Sequence, residues 1–198
     1  MSGKLKAIDL FCGCGGISAG LRDAGFQVLA GVDVEPNYIS TFSHNFPRSK
    51  SFQLDLAAVQ PDEFMRSIGV EEGEVDLLAG GPPRQGFSKN VPRKNRYLED
   101  PRNELIKIFL NYCEELKPRF VLMENVAEMK NGFENIYTDE VVSRLSEKGY
   151  TVTYAVLNSA EFGVPQRRRR AFFLANRDGI KFSLPEQTHS KKTSGGLS

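Results

Sequence analysis

Residues Asp76–Asn90 read DLLAGGPPRQGFSKN. An apolar run empties into Gly80-Gly81-Pro82-Pro83, and the next residue is Arg84. Two successive prolines fix two φ angles and remove two backbone donors. Such a loop is stiff enough to hold one side chain over a pocket. The side chain it holds here is an arginine, which stays protonated under ordinary conditions and is no nucleophile. The purpose of the loop has to be read from the segments on either side.

Those segments alternate between two patterns. Buried-strand candidates are Leu5–Phe11, Gln27–Val34, Val75–Ala79, Phe120–Glu124, Thr151–Leu157 and Ala171–Ala175. Between them lie helix-like stretches: Ile17–Ala24, Pro36–Asn45, Pro61–Ile68, Asn103–Lys117 and Tyr137–Lys148. Within the fourth of these, Leu105, Ile108, Phe109 and Tyr112 recur at helical spacing. Strand–helix alternation with short connections predicts a doubly wound α/β domain: an open, mostly parallel sheet with helices on both faces. Ligands of such sheets sit beyond the carboxyl ends of the strands. From Arg177 onward the periodicity fades, so residues 1–180 are expected to form the domain and 181–198 a tail or linker.

Composition narrows the class. The chain has 198 residues, enough for one domain with a sizeable core. Its net charge is +1, so any nucleic-acid binding must come from local patches. The three cysteines, Cys12, Cys14 and Cys113, make no disulfide framework and no metal-ligand pattern, which fits a reducing cytosol. The N-terminus MSGKLKAIDLF has no apolar h-region, and no run reaches the length of a membrane span.

The stretch AIDLFCGCGGISAGL puts Gly13, Gly15 and Gly16 between a strand and a helix, where glycine permits a tight turn and close approach to a ligand. The second strand ends at Asp33, 20 residues beyond Gly13. An acid there can accept hydrogen bonds from both hydroxyls of a ribose, with Glu35 as the fallback. The two features indicate a nucleoside cofactor without separating a nicotinamide dinucleotide from S-adenosylmethionine. Asp55, just after a short strand in FQLDL, can reach an adenine amino group in such a fold. The strand FVLMENV carries Glu124 and Asn125 after an apolar run, which puts a carboxylate at the rim of a buried sheet. Further on, Arg167–Arg170 lead into a strand. Alternate residues of an extended run share a face, so Arg168 and Arg170 are expected to point one way, Arg167 and Arg169 the other.

DLFCGCGG, GVDVEP, GGPPRQGFS, MENV, FGVPQRRRR and the trailing LPEQTHS, in this order, resemble the C5-cytosine methyltransferase family over about Lys4 to His189. QGFS after the Pro-Pro loop is closer to the DNA-modifying members than to the transfer-RNA-modifying branch. The resemblance implies the S-adenosylmethionine-dependent, Rossmann-like version of the predicted sheet. It implies that Phe11, Gly13, Gly15 and Gly16 hold S-adenosylmethionine, with Asp33 and Val34 at its ribose and Asp55 and Leu56 near its adenine. Pro82 would lie beside a cytosine flipped out of double-stranded DNA. Glu124 would bind N3 and the exocyclic amine, Arg168 would reach O2, and Arg170 would brace the pocket. Ser88, Lys89, Arg93, Lys94 and Arg96, on a loop of SKNVPRKNRYLED that closes over DNA in the family, would meet phosphates. Location would be the cytoplasm of a bacterium or the nucleus of a eukaryote.

The implied chemistry needs a thiolate. Carbon 5 of cytosine is a poor nucleophile until a cysteine thiolate adds at carbon 6 and makes the ring an enamine. Glu124 then holds N3 protonated while carbon 5 takes the methyl group, after which a base removes the C5 proton and the thiol leaves. The family's cysteine directly follows Pro-Pro; here that position is Arg84. Cys12 and Cys14 belong to the glycine loop and Cys113 to a helix interior, so this chain is expected not to methylate. Three readings of Arg84 stand: an inactivating change, acquired or engineered; a pseudoenzyme that keeps cofactor or DNA binding; or a new activity. Because the resemblance puts Arg84 and Glu124 on one small pocket, where an unpaired charge is costly, the two are expected to pair. The family also continues into a target-recognition domain and a final segment completing the cofactor site, so this sequence is expected to be a catalytic-half fragment, a subunit of a split enzyme or a shortened relative. A non-catalytic DNA- or partner-binding subunit is the rival reading. A nicotinamide-dependent oxidoreductase leaves the Pro-Pro, Glu-Asn and Gln-Arg strings unexplained.

Overall fold

A computed structural model describes residues 3–83, 101–127 and 135–189, the side chains of 101–103 and 135–137 excepted. Its centre is a strand that the Pro-Pro loop leaves, β4 (Leu77–Gly80), buried along its whole length. On one side of β4 lie β1 (Lys6–Leu10), β2 (Gln27–Asp33) and β3 (Lys50–Gln53), and on the other β5 (Phe120–Val126), β7 (Arg169–Asn176) and β6 (Thr151–Asn158). The order is β3-β2-β1-β4-β5-β7-β6. From β3 to β5 all pairings are parallel; β7 runs antiparallel to both β5 and β6. The mostly parallel sheet predicted from the alternating pattern is therefore present. The reversed strand near its edge is a feature that apolar runs alone do not reveal.

Among the described residues, five α-helices connect the strands: α1 (Gly16–Asp23), α2 (Pro36–Asn45), α3 (Pro61–Ile68), α4 (Pro101–Leu116) and α5 (Asn135–Glu147). Proline opens α2 and α3, where its missing N–H costs nothing and its φ suits a first turn. Gly69, at φ 75°, ends α3. The core divides by sheet face. Leu21, Phe42 and Phe46 of α1 and α2 pack on Ala7, Leu77 and Ala79. Phe64, Phe109, Tyr112, Leu116 and Leu145, from α3, α4 and α5, pack on Ile8, Leu10 and Leu78. β5 shows the asymmetry: Val121, Met123 and Asn125 are buried, while Phe120, Leu122 and Glu124 on its other face are half-buried.

Element limits move in ways that have local causes. The strand expected from Val75 begins at Leu77, and the Asp76 carboxylate instead accepts the Lys6 N–H at 2.7 Å. The strand expected over Ala171–Ala175 extends to Arg169–Asn176, because partners on both sides supply its ladder. Arg169 and Arg170 thus belong to the strand rather than preceding it. The segment 181–189, expected to be part of a tail or linker, ends in specific contacts. Backbone N–H groups of Thr188 and His189 both donate to the Glu161 carbonyl, at 3.0 and 2.9 Å.

Candidate active site

The first site residues are set by backbone conformation. Phe11 has φ 58° and Gly13 φ 54°, and left-handed backbone in a bulky residue such as Phe11 is strained. The kink turns the chain off β1 so that the Cys12 N–H donates to the Val32 carbonyl and the Gly15 N–H to the Cys12 carbonyl, both at 2.9 Å. Gly15 (φ 94°) has no room for a side chain, since a Cβ there would lie 2.4 Å from the Phe46 ring. Asp33 closes the turn from the next strand. Its carboxylate accepts the Gly13 N–H at 2.9 Å on one oxygen and the Glu35 N–H at 3.0 Å on the other. An ionised carboxylate has about four acceptor positions, so two remain for a ligand. Asp55 is held similarly, accepting the Ala57 N–H at 2.9 Å.

A cavity of about 530 Å³ lies over this turn, with Phe11, Gly13, Asp33, Val34, Asp55 and Leu56 in its lining. Six of the residues predicted for the cofactor are thus brought together. Gly15, Gly16 and Pro82 are not in this lining. Gly15 packs on Phe46, Gly16 faces a second cavity, and the Pro82 carbonyl accepts a hydrogen bond from Asn125 Nδ2 at 3.2 Å. Glu35, the fallback acid, and Gly81 and Pro83 of the Pro-Pro loop also line it, together with Tyr38, Leu54, Ala57 and Leu105, to which sequence reasoning had given no role in the site. Tyr38 and Leu105 lie in helices that read as ordinary amphipathic stretches.

The second cavity, also about 530 Å³, shares Phe11 and Gly81 with the first and contains Glu124, Arg168 and Arg170. The expected alternation holds: Arg168 and Arg170 line it, while Arg167 and Arg169 do not. Arg170 Nε lies 2.8 Å from Glu124 Oε1, both side chains retaining about a quarter of their exposure (22% and 23%). A Cβ on Gly81 would come to 3.4 Å from Glu124 Oε2, so the loop passes closely over the carboxylate. Asn125, 3% exposed, anchors that loop through Pro82. The expected Arg84–Glu124 pair rests on Arg84, which lies outside the described residues, as do Ser88, Lys89, Arg93, Lys94 and Arg96.

The outer wall of this cavity comes from a segment that has no periodic signal. A 3-10 turn (Ser159–Phe162) follows β6, and Ser159, Phe162 and Val164 line the cavity. Ser159 is tied back to Arg168, whose carbonyl accepts its N–H at 3.0 Å and its hydroxyl at 3.2 Å. Gln187 Nε2 donates to Glu161 Oε2 at 3.1 Å, and the His189 ring packs under Gly163.

Two buried ionisable groups flank the glycine turn. Asp9 is fully buried and accepts both the hydroxyl (2.6 Å) and N–H (3.1 Å) of Ser18, and its other oxygen has no partner. Burial pushes its carboxyl up to about 6, against the lowering effect of the Ser18 hydrogen bonds. Cys12 also lines the second cavity. Burial, with the negative charges of Asp9 and Asp33 added, pushes its thiol well above the ordinary range. Cys12 thus faces the cavity as a neutral thiol. Among the described residues, no group of three His, Cys, Asp or Glu side chains could hold a metal ion, and no helix is long and apolar enough to cross a membrane.

The chain matches known proteins over nearly its whole length. The family described as C-5 cytosine-specific DNA methylase matches residues 5–196. The chain is 38% identical over 193 residues to the Type II methyltransferase M1.HphI of Haemophilus parahaemolyticus, covering 98% of this chain and 51% of that protein. It is 35% identical to the Type II methyltransferase M.AquIA of Picosynechococcus sp., covering 93% of this chain and 77% of that one. It spans about half the length of M1.HphI and 44% of M.AgeI of Thalassovita gelatinovora. The crystal structure of the S. pombe Dnmt2 methyltransferase superposes with a TM-score of 0.71 over 92% of this chain and 52% of its own; at 20% identity it shows a likeness of fold. A two-cavity site at the carboxyl ends of a mostly parallel sheet and a family match over nearly the whole chain agree: this protein belongs to the C-5 cytosine-specific DNA methylase family.

Proposed function

We propose that the chain forms the cofactor-binding and base-binding part of a DNA cytosine-5 methyltransferase and that, as written, it transfers no methyl group. The observation that carries this reading is the meeting of two cavities at Phe11 and Gly81, one edged by Asp33 and the other by the Glu124–Arg170 pair. The free acceptor positions of Asp33 suit ribose hydroxyls, and Asp55 suits an adenine amine. When bound, S-adenosylmethionine supplies an electrophilic methyl group. In the neighbouring cavity Glu124 accepts from the exocyclic amine of an extruded cytosine and holds a proton at N3. Arg168 donates to O2, and Arg170 holds the Glu124 carboxylate in place. Ser88, Lys89, Arg93, Lys94 and Arg96 contact the DNA backbone, and a further segment, in cis or on a second chain, reads the target sequence.

What is missing is the group that adds to carbon 6. Arg84 has no unshared pair to offer at any ordinary pH, and Cys12 is held neutral by its surroundings. The second reading, favoured by Arg84 itself, is a non-catalytic DNA- or partner-binding subunit.

Calorimetric titration with S-adenosylhomocysteine tests the cofactor half directly. Saturable binding that Asp33→Ala abolishes supports it, and binding indifferent to Asp33 removes it. Arg84→Cys, supplied with a target-recognition segment from a relative, tests the catalytic half. Labelled methyl transfer to DNA by that variant and not by the parent is the expected result. Salt-dependent DNA binding with no transfer by either would favour the non-catalytic subunit.

A further inference from the structure

A third cavity, of about 490 Å³, lies behind the glycine loop, away from the two already described. Its wall carries Lys4, Arg22 and Arg48 together with the rings of Phe26 and Phe46, and no acid. Arg22 is paired with Asp23 at 3.1 Å on the outside and stands over the Phe46 ring, its Cζ 5.4 Å from the centroid. Among the described residues, Lys4 and Arg48 form no salt bridge. The carboxyl ends of α1 and α2 also face this region, each equivalent to about half a negative charge. With Asp23 they offset two of the three cations and leave the cavity net positive. A volume in this range accommodates a small organic ligand. Two guanidinium forks and an ammonium suit the oxygens of a phosphate, and the two rings suit an apolar or aromatic body.

The cavity also touches the cofactor turn. Asn45, in its wall, donates through Nδ2 to the Cys14 carbonyl at 3.5 Å, and Phe46 is the ring that fills the space beneath Gly15. Phe46 is 6% exposed, stacked on Phe42 and covered by Arg22, so a ligand whose body lies against Phe26 and whose phosphate draws Arg22 would bear on Phe46 and through it on the segment that shapes the Asp33 site. We propose that this cavity binds a small phosphate-bearing ligand with an aromatic body, and that its occupancy orders the loop Gly13–Gly16. Neither half depends on the methyltransferase reading, because the residues of this cavity lie outside the other two and the effect on Gly13–Gly16 is read as backbone order, with no cofactor or base present.

Phenyl phosphate is the probe, since it carries a ring and a phosphate but no ribose for Asp33 and no nucleobase for Glu124. Titrated calorimetrically into the full chain at low salt, it binds saturably. Inorganic phosphate binds more weakly, and Arg48→Glu weakens phenyl phosphate by about tenfold or more, the loss expected for one charge-assisted contact. Lys4→Glu repeats the test should Arg48→Glu fail to fold, and Arg66→Glu, on α3 and outside the cavity, leaves binding unchanged. Hydrogen exchange at Gly13–Gly16 slows on addition of phenyl phosphate. Absence of binding, or binding that survives both Arg48→Glu and Lys4→Glu, overturns the site. Equal affinity for inorganic phosphate overturns the aromatic part, and unaltered exchange at Gly13–Gly16 overturns the link to the loop.

Discussion

Arg170 and Glu124 form an ion pair on the diagonal of an antiparallel ladder. Glu124 stands opposite Phe172 and Arg170 opposite Val126, so the two are one step off register on the same face. Diagonal neighbours in a sheet are within reach of long side chains, and Nε–Oε1 contact at 2.8 Å results. The pair is mostly but not wholly out of water, so its net worth is set by what happens when one member is lost. Removing Arg170 leaves a carboxylate facing Phe172 and Leu157 with its counter-charge gone. Arg170→Gln is expected to cost about 1–2 kcal/mol in urea denaturation, below the 3–5 kcal/mol of a fully buried pair. Glu124→Gln is expected to cost less, and a double-mutant cycle should return a coupling of about 1 kcal/mol. A cycle that closes at zero would mean that the pair organises nothing.

Asp9 gives a pH signature. Its folded carboxyl titrates near 6, against an ordinary 3.8. A carboxyl raised on folding contributes its stability below the unfolded value and loses it as pH rises through the folded one. Between pH 4 and 7 the loss is about 2 kcal/mol, most of it below pH 6. Asn at this position keeps an acceptor for Ser18 but carries no charge. Comparing the wild type with Asp9→Asn at pH 4.5, 6 and 7.5 cancels the other carboxylates. The variant should gain on the wild type steadily across that window. A constant difference would show that Asp9 does not titrate there.

Much of this architecture was legible because strands and helices leave different periods. The six strand candidates all survive as strands, and Pro36–Asn45 and Pro61–Ile68 keep their limits. Asp33, Asp55 and Glu124 were readable as acids lining a cavity because each lies near or just beyond the carboxyl end of a strand. The partner of Glu124 was not readable. The sequence reading paired Glu124 with Arg84, which lies outside the described residues, and only the antiparallel register of β7 puts Arg170 on the diagonal. The wall built by Ser159, Phe162 and Val164 has no period to read, because it is an irregular loop, and Phe162 and Val164 showed only as part of the string FGVPQRRRR, with no role assigned to them. The close fit of Gly15 on Phe46 joins residues 31 apart in sequence, a contact made by packing and invisible to local pattern.

The cysteines should separate sharply by reactivity. Cys14 is exposed, whereas Cys12 and Cys113 are buried. Burial pushes both buried thiols upward, aided at Cys12 by Asp9 and Asp33. Since the thiolate is the reactive form, iodoacetamide at neutral pH should modify Cys14 at least about tenfold faster than either of the others, read by peptide mass spectrometry. Fast labelling of Cys12 would contradict its assignment as a neutral, non-nucleophilic thiol.

The contact between His189 and Gly163 fixes how the far wall of the Glu124 cavity is held. Gly163 ends the 3-10 turn at φ 87°, a conformation that side chains rarely adopt. A Cβ there would lie 2.9 Å from His189 Cε1. His189 is itself fastened, since its N–H donates to the Glu161 carbonyl and its Nδ1 lies 2.9 Å from the Thr188 hydroxyl. Gly163→Ala therefore carries two penalties, backbone strain of about 1 kcal/mol and a clash that displaces the imidazole. Adding His189→Ala relieves the second and leaves the first. Gly163→Ala should lower the thermal midpoint and speed proteolysis near residue 189. Gly163→Ala with His189→Ala should recover part of the midpoint but not the protease resistance, because the strap no longer has its ring in place. If the double variant is as unstable as the sum of its parts, the two residues do not share a contact, and the strap is held by its backbone bonds to Glu161 alone.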